Sequence, residues 1–451
     1  MNVRTSFAAL IEGAPGRRAG FVAGDPLVVA RAPGRLDVIG GIADYSGSLV
    51  LQLPLQAACH VALQRCAAPQ LSIVSRRGAD LQRAEDFSIA MAELLALDEA
   101  AAAVRLRADP ARRWAAYVAG AFVVLAQARG AAFAGGARLL IDSEVPEGSG
   151  VSSSAAVEVA TMQAIAAAFD LELAPRELAL LCQRVENRIA GAPCGVMDQM
   201  TAACGRRDHL LALLCRPAEL RGQLPIPGAV AFWGIDSGVR HAVGGADYAG
   251  VRAAAFIGRK LLAARHRRAE LQLTDLDAGD FERDDAPHLP EGLTGRAFLE
   301  RWRDHGDAAT AVDPQQSYAV RAASRHPVHE HARAQRFAAL LPDAADEDAR
   351  RELGALLRAS HASYGACGLG TPQTDRLAAM VDELGPAAGL YGARISGGGS
   401  GGTVVVLGRR DAGARVAAIA ARYGGATPAM VFGGSSDGAV QHGVKRLPTR
   451  R

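Results

Sequence analysis

Apolar and polar positions alternate in two distinct ways along the first 205 or so residues of the chain. Short β-like runs occupy residues 27–30, 49–55, 60–64, 71–74 and 137–142. Longer stretches with helical spacing occupy residues 113–128, 153–169 and 175–190. The last of these has Pro175 at its start and Gly191 just past its end, where these residues favour a helix boundary. The mixture of strands and helices predicts an α+β domain.

The second half of the chain shows a similar mixture, interrupted by one long polar stretch. Strands are predicted at residues 210–214, 230–235, 392–396 and 403–407, and helices at 248–264, 352–361, 374–384 and 412–423. Residues 274–327 are polar, acidic and proline-containing, and we interpret them as an irregular insertion. Because 451 residues are better served by two domains than by one, we expect domains at 1–205 and 206–451.

Charge and composition narrow the classes of partner. Fifty basic and 47 acidic residues give a formal net charge of +3, too small and too evenly spread to indicate nucleic acid or a membrane. The seven cysteines form no CxxC pair and no zinc-like cluster, which favours reduced thiols in a cytoplasmic protein. We expect no signal peptide and no transmembrane helix, because no stretch approaches 18 uninterrupted apolar residues.

Residues 146–156, PEGSGVSSSAA, carry the clearest sign of chemistry. A turn rich in glycine and serine opens directly onto an apolar helical stretch, so several backbone N–H groups are left unpaired at the positive end of that helix. Such a turn binds an anion, most often a phosphate. The chain has only two lysines, Lys260 and Lys445, and neither lies in a glycine-rich loop, which excludes a P-loop.

Three further blocks extend this signal over most of the chain. Residues 31–45 read RAPGRLDVIGGIADY, residues 186–199 read ENRIAGAPCGVMDQ, and residues 395–403 read ISGGGSGGT. In order and spacing the blocks resemble the GHMP kinases, and the block at 186–199 resembles their sugar-kinase branch. The resemblance implies a two-domain α+β fold, with a ribosomal protein S5 domain 2-like N-terminal domain and a ferredoxin-like C-terminal domain. The active site would lie in the cleft between them.

Within that branch, three segments resemble the plant-type L-arabinokinases: GGIADYSG at 40–47, FWGIDSG at 232–238 and YGACGLG at 364–370. This resemblance implies transfer of the γ-phosphoryl group of ATP to the anomeric hydroxyl of L-arabinose, giving L-arabinose 1-phosphate. A galactokinase, a galacturonate kinase and a non-catalytic galactokinase-like sugar sensor are the alternatives. Such sensors have lost parts of the serine-rich loop, whereas residues 152–155 are complete here, which favours catalysis.

ATP and Mg²⁺ are the cofactors that the resemblance implies. Backbone N–H groups of the glycine-rich turn would cradle the phosphates, since glycine lets the backbone approach without a Cβ. The implied nucleotide-binding residues are Gly148, Ser149, Gly150, Val151, Ser152, Ser153, Ser154, Ala155, Gly397 and Gly398. As a sequence alone, the loop at 397–402 also fits a flexible hairpin.

The metal site needs one serine hydroxyl and one carboxylate, because Mg²⁺ prefers hard oxygen ligands and keeps several waters. Ser153 or Ser154 would supply the hydroxyl, and by resemblance Glu186 supplies the carboxylate. Glu186 could instead be a surface charge on an amphipathic helix. Glu158, four residues after Ser154, is the competing ligand.

Asp198 is our candidate for the base that takes the proton of the anomeric hydroxyl, since the resembling family has an aspartate in this Gly-x-Met-Asp-Gln motif. An Asx turn is the alternative role for this residue. Arg35 would stand beside Asp198 and neutralise charge on the moving phosphoryl group. If Arg35 were only a surface residue, replacing it would barely change turnover.

The substrate-binding residues implied by the resemblance are Asp44, Gly41, Ile42, Tyr45, Tyr248, Cys194 and Gly195. In galactokinases a Glu-His pair stands in place of Gly41 and Ile42 and contacts the C6 hydroxyl of the hexose. L-arabinopyranose lacks that hydroxymethyl group, so an apolar residue here favours a pentose. Asp236 and Arg252 could face the sugar or be structural. Beyond the sugar and ATP we expect no nucleic-acid or membrane partner. We expect the protein to be a monomer or a weak homodimer.

Overall fold

The computed structural model describes residues 7–76, 83–240 and 246–448. In chain order, its strands β1 to β14 are Pro26–Ile39, Leu49–Cys66, Gln70–Ser75, Asp86–Ala90, Gly136–Ser143, His209–Leu214, Glu219–Pro225, Val230–Asp236, Leu293–Thr294, Ser317–Tyr318, Leu390–Ile395, Thr403–Arg409, Val431–Phe432 and Lys445–Pro448. Its helices α1 to α16 are Phe7–Glu12, Ala14–Arg18, Met91–Leu95, Glu99–Arg107, Ala116–Arg129, Ser153–Ala168, Pro175–Arg184, Met197–Cys204, Ala246–His266, Ala278–Asp280, Gly295–Arg301, Val320–Leu340, Glu347–Ala366, Pro372–Leu384, Gly413–Gly424 and Ala439–His442.

Eight strands form the first sheet, in the order β14-β1-β2-β5-β3-β4, with β6 and β7 extending it from β2. The strands β3 and β5 pair in parallel, and the other neighbours pair antiparallel. The apolar runs at 49–55 and 60–64 belong to one continuous strand, β2. Helices α6 and α8 pack on β1 and β2, α5 and α7 pack on α6, and all four share the core of this sheet.

The first sheet does not divide at residue 205. It continues through β6 and β7, which end at Pro225, and it also takes β14 from residues 445–448. Its core includes Phe232 and Phe337 from the second half of the chain. The strands β6, β7 and β14 of this sheet therefore all come from residues after the predicted domain boundary.

The second sheet has four antiparallel strands in the order β11-β12-β8-β13. Successive residues of β12 alternate between two cores, as the period of a strand requires. Val404 and Val406 pack with helices α14 and α15, whereas Val405 and Leu407 join the core of the first sheet. The second sheet is thus buried on both faces and fixes its loops against β1.

The stretch at 274–327 has more regular structure than the sequence indicates. It contains α10, α11, the β9–β10 pair and the first turns of α12, which continues through Pro327. Together with α9 it buries a small core that includes Phe281 and Phe298. In the described part of the chain, no helix is both long and apolar enough to cross a membrane.

Candidate active site

A cleft opens where β1, α6, α8, α9 and the loop before β12 meet. Fourteen of the predicted site residues line it: Arg35, Ile42, Asp44, Gly148, Gly150, Ser152, Ser153, Ser154, Glu186, Cys194, Gly195, Asp198, Tyr248 and Gly398. Met197 lines it as well, although the sequence does not single it out. The four sequence blocks therefore converge on one cavity.

The glycine-serine turn ends at the N-terminus of α6. Gly148 and Gly150 have φ of +75° and +70°, and Ser152 is a non-glycine residue at φ +60°. A left-handed non-glycine residue is strained, and such strain clusters at ligand sites. Because α6 begins at Ser153 and its first residues line the cleft, its unpaired N–H groups lie at the cavity wall. This wall suits a phosphate.

Residues of the second sheet hold that turn in place. The Ser149 hydroxyl donates to Asp236 Oδ2 at 2.7 Å, and the Thr403 hydroxyl donates to the Ser149 carbonyl at 2.7 Å. Arg35 Nη1 adds a third bond, to the Gly150 carbonyl at 2.7 Å. Asp236, which could have faced a sugar, therefore anchors the turn instead.

Asp198 and Arg35 form a bidentate ion pair beside the turn. Arg35 Nε lies 2.8 Å from Asp198 Oδ1, and Nη2 lies 2.9 Å from Oδ2. The Arg35 side chain is 4% exposed and the Asp198 side chain 18%, so the carboxylate is the more accessible partner. Residues 197–204 are helical, and the carboxylate binds a guanidinium rather than closing an Asx turn. Such a pair fixes the orientation of both groups.

Asp44 meets the cleft in different surroundings. Its side chain is buried, and its Oδ1 has no hydrogen-bond partner. Burial, and then the nearby Asp198, raise the pKa of the Asp44 carboxyl to about 8. A Cβ at position 195 would lie 1.8 Å from Asp44 Oδ2, so only glycine fits at Gly195. An unpaired buried carboxyl oxygen is a ready acceptor for a hydroxyl of a ligand.

Two more carboxyl groups, Glu186 and Glu158, share one amide. Gln199 Nε2 donates to Glu186 Oε2 at 2.5 Å and to Glu158 Oε2 at 3.1 Å, and the Cys194 thiol lies 3.3 Å from Glu186 Oε2. Burial raises the pKa of Glu186 to about 7 and that of Glu158 well above its usual range. Glu186 is 2% exposed and so is not a surface charge. It follows α7 in a π-helical turn at Val185–Ala190, a distortion frequent at functional sites.

This cluster fits a magnesium ion. The buried Glu158 Oε1 and Gln199 Oε1 have no partners, so acceptors outnumber donors beside Glu186. Ser154 also interacts with the Glu186 carboxyl, which places a hydroxyl and a carboxylate together at the cavity wall. Among the residues that the structure describes, no group of three or more His, Cys, Asp or Glu could hold a metal. Mg²⁺ needs no such group, because phosphate and water complete its shell.

The cavity wall beyond Asp44 is apolar and aromatic. Ile42 and Tyr248 line it, and both pack in a cluster with Tyr364 and Leu369. The Tyr248 ring meets that of Tyr45 edge-on, with 6.2 Å between centroids. Burial, followed by the charge of Asp44, holds the pKa of the Tyr248 phenol well above its usual range.

Arg252 supports this wall from behind rather than lining it. Its Nε and Nη2 lie 2.7 Å and 2.9 Å from the carboxylate of Asp307, in the stretch at 274–327. Its guanidinium also covers the ring of Tyr45 at 5.5 Å. The side chains of Arg252 and Asp307 are 8% and 5% exposed. A buried pair of this kind ties the stretch to α9.

Six predicted site residues lie next to the cleft without lining it: Gly41, Tyr45, Ser149, Val151, Ala155 and Gly397. The Val151 carbonyl accepts a bond from the Arg35 backbone at 3.1 Å. The Gly397 N–H donates to Asp37 at 3.2 Å, and the loop that it begins joins the paired strands β11 and β12. Tyr364, whose hydroxyl lies beside Gly41, is absent from the predicted site, although it begins the segment at 364–370 that carries the family resemblance.

Three family signatures match this chain. The GHMP kinases N terminal domain matches residues 116–206, the GHMP kinases C terminal matches residues 343–426, and the galactokinase galactose-binding signature matches residues 20–65. Together these regions contain Arg35, Asp44 and Asp198.

Curated relatives and solved structures agree with these matches. An L-arabinokinase from Arabidopsis thaliana is 44% identical over 94% of the chain, which spans only 47% of that longer protein. A galactokinase from Roseiflexus sp. (strain RS-1) is 33% identical over 86% of the chain and 84% of its own length. In structure, the chain is similar to Lactococcus lactis galactokinase complexed with galactose, with a TM-score of 0.76, 22% identity and coverage of 98% and 100%.

Proposed function

The chain belongs to the GHMP kinases, among the galactokinase-like sugar kinases, and from this premise we propose that it is an ATP-dependent L-arabinose 1-kinase. One observation carries the choice of sugar. The cavity end beside Asp44 is walled by Ile42 and has no side chain at Gly41. The identity with an L-arabinokinase over nearly the whole chain supports the same substrate.

The glycine-serine turn receives the phosphates of ATP. The N-terminus of α6 and the N–H groups around Ser152 offer donors and a positive dipole end, which replace the lysine of a P-loop. Glu186 with Ser154 or Ser153 would hold Mg²⁺, which neutralises phosphate charge when it is bound. Anchoring by Asp236 and Thr403 keeps the donors in position before the nucleotide arrives.

Asp198 orients the sugar and receives its proton. The anomeric oxygen forms a bond to the γ-phosphorus while the bond from that phosphorus to the β-phosphate oxygen breaks, and the hydroxyl proton passes to an Asp198 oxygen. Arg35 holds the carboxylate through two bonds, and its cation faces the negative charge of the transferring group. Binding of both substrates in one cleft lowers the activation barrier further, because it positions the reacting atoms.

The apolar wall selects a sugar without a C6 hydroxyl. L-arabinopyranose has the ring configuration of D-galactopyranose with hydrogen in place of the hydroxymethyl group. A polar side chain at position 42 would be buried without a partner, at a cost of roughly 1–3 kcal/mol. Ile42 avoids that cost, while Asp44 accepts from ring hydroxyls that both sugars share.

Galactokinase activity is the second candidate, because residues 20–65 match the galactose-binding signature. The deciding experiment measures kcat/KM for L-arabinose, D-galactose and D-galacturonate with ATP and Mg²⁺. We expect L-arabinose to be preferred over D-galactose by about 10-fold to 200-fold, the range for a pocket that rejects one extra group. A clear preference for D-galactose would contradict the proposal.

A further inference from the structure

We propose that Tyr364 is a specificity-determining residue of the sugar site, because its phenol occupies the space of a side chain at position 41 and fixes Ile42 as the end wall. The inference rests on the proposed function for the identity of the sugar. Tyr364 lies in α13, about 320 residues further along the chain than the turn that it contacts. It is fully buried and does not line the cleft, so it acts through Ile42 as a positioning residue.

The space beside Gly41 is already filled. A Cβ built on Gly41 would lie 1.9 Å from the Tyr364 oxygen, far inside any normal contact distance. It would also lie 2.8 Å from Arg394 Nη2 and 2.9 Å from Asp37 Oδ2. The backbone at Gly41 has φ +44°, a conformation that residues with a side chain rarely adopt. The phenol and a side chain at position 41 therefore exclude each other.

The phenol is held by two hydrogen bonds. It accepts from the Ile42 backbone N–H at 3.0 Å and donates to the Gly397 carbonyl at 2.8 Å. Its ring lies under the Arg394 guanidinium at 5.0 Å from the centroid. The hydroxyl thus joins the turn that bears Ile42 to the glycine loop before β12.

The Gly41 N–H of that turn has a partner other than Tyr364. Asp37 accepts from the Gly41 N–H at 3.1 Å and from Arg394 Nη1 at 3.0 Å, and both side chains of this ion pair are fully buried. The Ile42 N–H, in contrast, is paired with the Tyr364 hydroxyl. Loss of the hydroxyl leaves that N–H buried and unpaired, so the turn must shift to regain a partner. A shift at Ile42 moves the wall that the sugar meets.

Tyr364→Phe and Tyr364→Ala test the proposal through the ratio of kcat/KM for D-galactose to that for L-arabinose. Tyr364→Phe removes both hydrogen bonds and keeps the ring, whereas Tyr364→Ala also opens space behind Ile42. We expect the ratio to rise about tenfold in each variant, as for the gain or loss of one group in a pocket. The KM for L-arabinose should rise, while kcat at saturating sugar and the KM for ATP stay within about twofold of wild type.

Tyr391→Phe is the matched control. Tyr391 is another buried tyrosine of the second half, and its hydroxyl also makes two bonds, to Glu347 at 2.7 Å and from Arg350 at 2.9 Å. It lies outside the cleft, so this variant should keep the wild-type ratio. If folded Tyr364→Phe keeps that ratio too, or loses activity equally toward both sugars, the proposal is overturned.

A double-mutant cycle tests the contact itself. Gly41→Ala should raise the KM for L-arabinose strongly in the wild-type background, because its Cβ meets the phenol oxygen. In Tyr364→Phe that oxygen is gone, so the same change should cost about tenfold less in KM. Additive effects of Gly41→Ala and Tyr364→Phe on the KM for L-arabinose would overturn the proposal. A wild-type enzyme that prefers D-galactose would instead defeat the proposed function, while the change in ratio would still decide the role of Tyr364.

Discussion

Two aspartates at the cleft show how surroundings divide roles between identical side chains. Asp198 is held by Nε and Nη2 on one edge of the Arg35 guanidinium, whereas Asp44 keeps one buried oxygen without a partner. Fixed orientation suits a base that must meet a moving proton, and a free acceptor suits recognition of a sugar hydroxyl. The two residues therefore predict different variant phenotypes.

Asp198→Asn should stop phosphoryl transfer without emptying the nucleotide site. The amide cannot accept the anomeric proton, so we expect kcat to fall by about 10²-fold to 10⁴-fold. The Kd for ATP, measured by calorimetry, should stay within about threefold. Asp411→Asn, at an exposed pair with Arg409, is the control. Full activity of Asp198→Asn would remove its proposed role.

Asp44 predicts a specific dependence of stability on pH. Its folded-state pKa of about 8 lies above the usual value of 3.8, so the folded protein keeps a proton that the unfolded chain has lost. The resulting stabilisation is complete below pH 3.8 and is lost as the pH rises through about 8, at up to about 1.4 kcal/mol per pH unit.

Asp44→Asn should remove that contribution. Between pH 5 and pH 8, the free energy of unfolding of the variant should fall less steeply than that of wild type, as measured by denaturant titration at each pH. Equal slopes for the two proteins would mean that Asp44 is already ionised in the folded state.

At the level of elements, local pattern predicts most of the strands and helices but not how they continue. The apolar runs at 49–55 and 60–64 are marked correctly, yet the strand between them depends on pairing with β1 and cannot be seen in either run. Pro327 ends the stretch that we interpret from sequence as irregular, but α12 continues through it because tertiary packing buries this turn.

The candidate site likewise has residues that local sequence predicts and residues that it does not. Glycine-rich and charged blocks predict the cradle, Asp198 and Asp44, since their residue types carry the chemistry within a few positions. Tyr364 is not predicted because its bond to the turn at Gly41 and Ile42 arises only when α13 packs against β11 and reaches that turn. The anchoring role of Asp236 is invisible for the same reason, because Ser149 lies 87 residues away in sequence.

The stability of the stretch at 274–327 should depend on the ion pair between Arg252 and Asp307. Asp307→Ala leaves the Arg252 guanidinium buried without its partner, and we expect a loss of about 3–5 kcal/mol in the free energy of unfolding. Glu282→Ala is the control within the same stretch, because Glu282 pairs with Arg325 at the surface and should contribute about 1 kcal/mol or less. Similar losses in both variants, measured by chemical denaturation, would contradict this account.

On the scale of the whole molecule, the two sheets share one core. Side chains of β8 and β12 enter the same cluster as those of β1 and β2, and the fully buried pair of Asp37 and Arg394 links β1 to β11. The cleft of the candidate active site lies across this junction. Its geometry therefore depends on both halves of the chain being folded together.

This shared core predicts cooperative unfolding. Trp114 lies in the first half and Trp233 in β8, and each can be kept as the sole reporter in a variant whose other tryptophans are phenylalanine. The fluorescence midpoints of the two variants in urea should match the midpoint that circular dichroism gives for the same variant. An earlier fluorescence transition in the Trp233 variant would show that the second sheet unfolds separately.

The strand β14 offers a practical consequence of this topology. It comes from residues 445–448, yet it lies along β1, the strand that bears Arg35. A fragment that stops at Asp236 would leave that border of β1 with free backbone groups, which readily capture an added strand. The molecule is thus suited to fragment complementation, in which two inactive polypeptides regain kinase activity only after they meet.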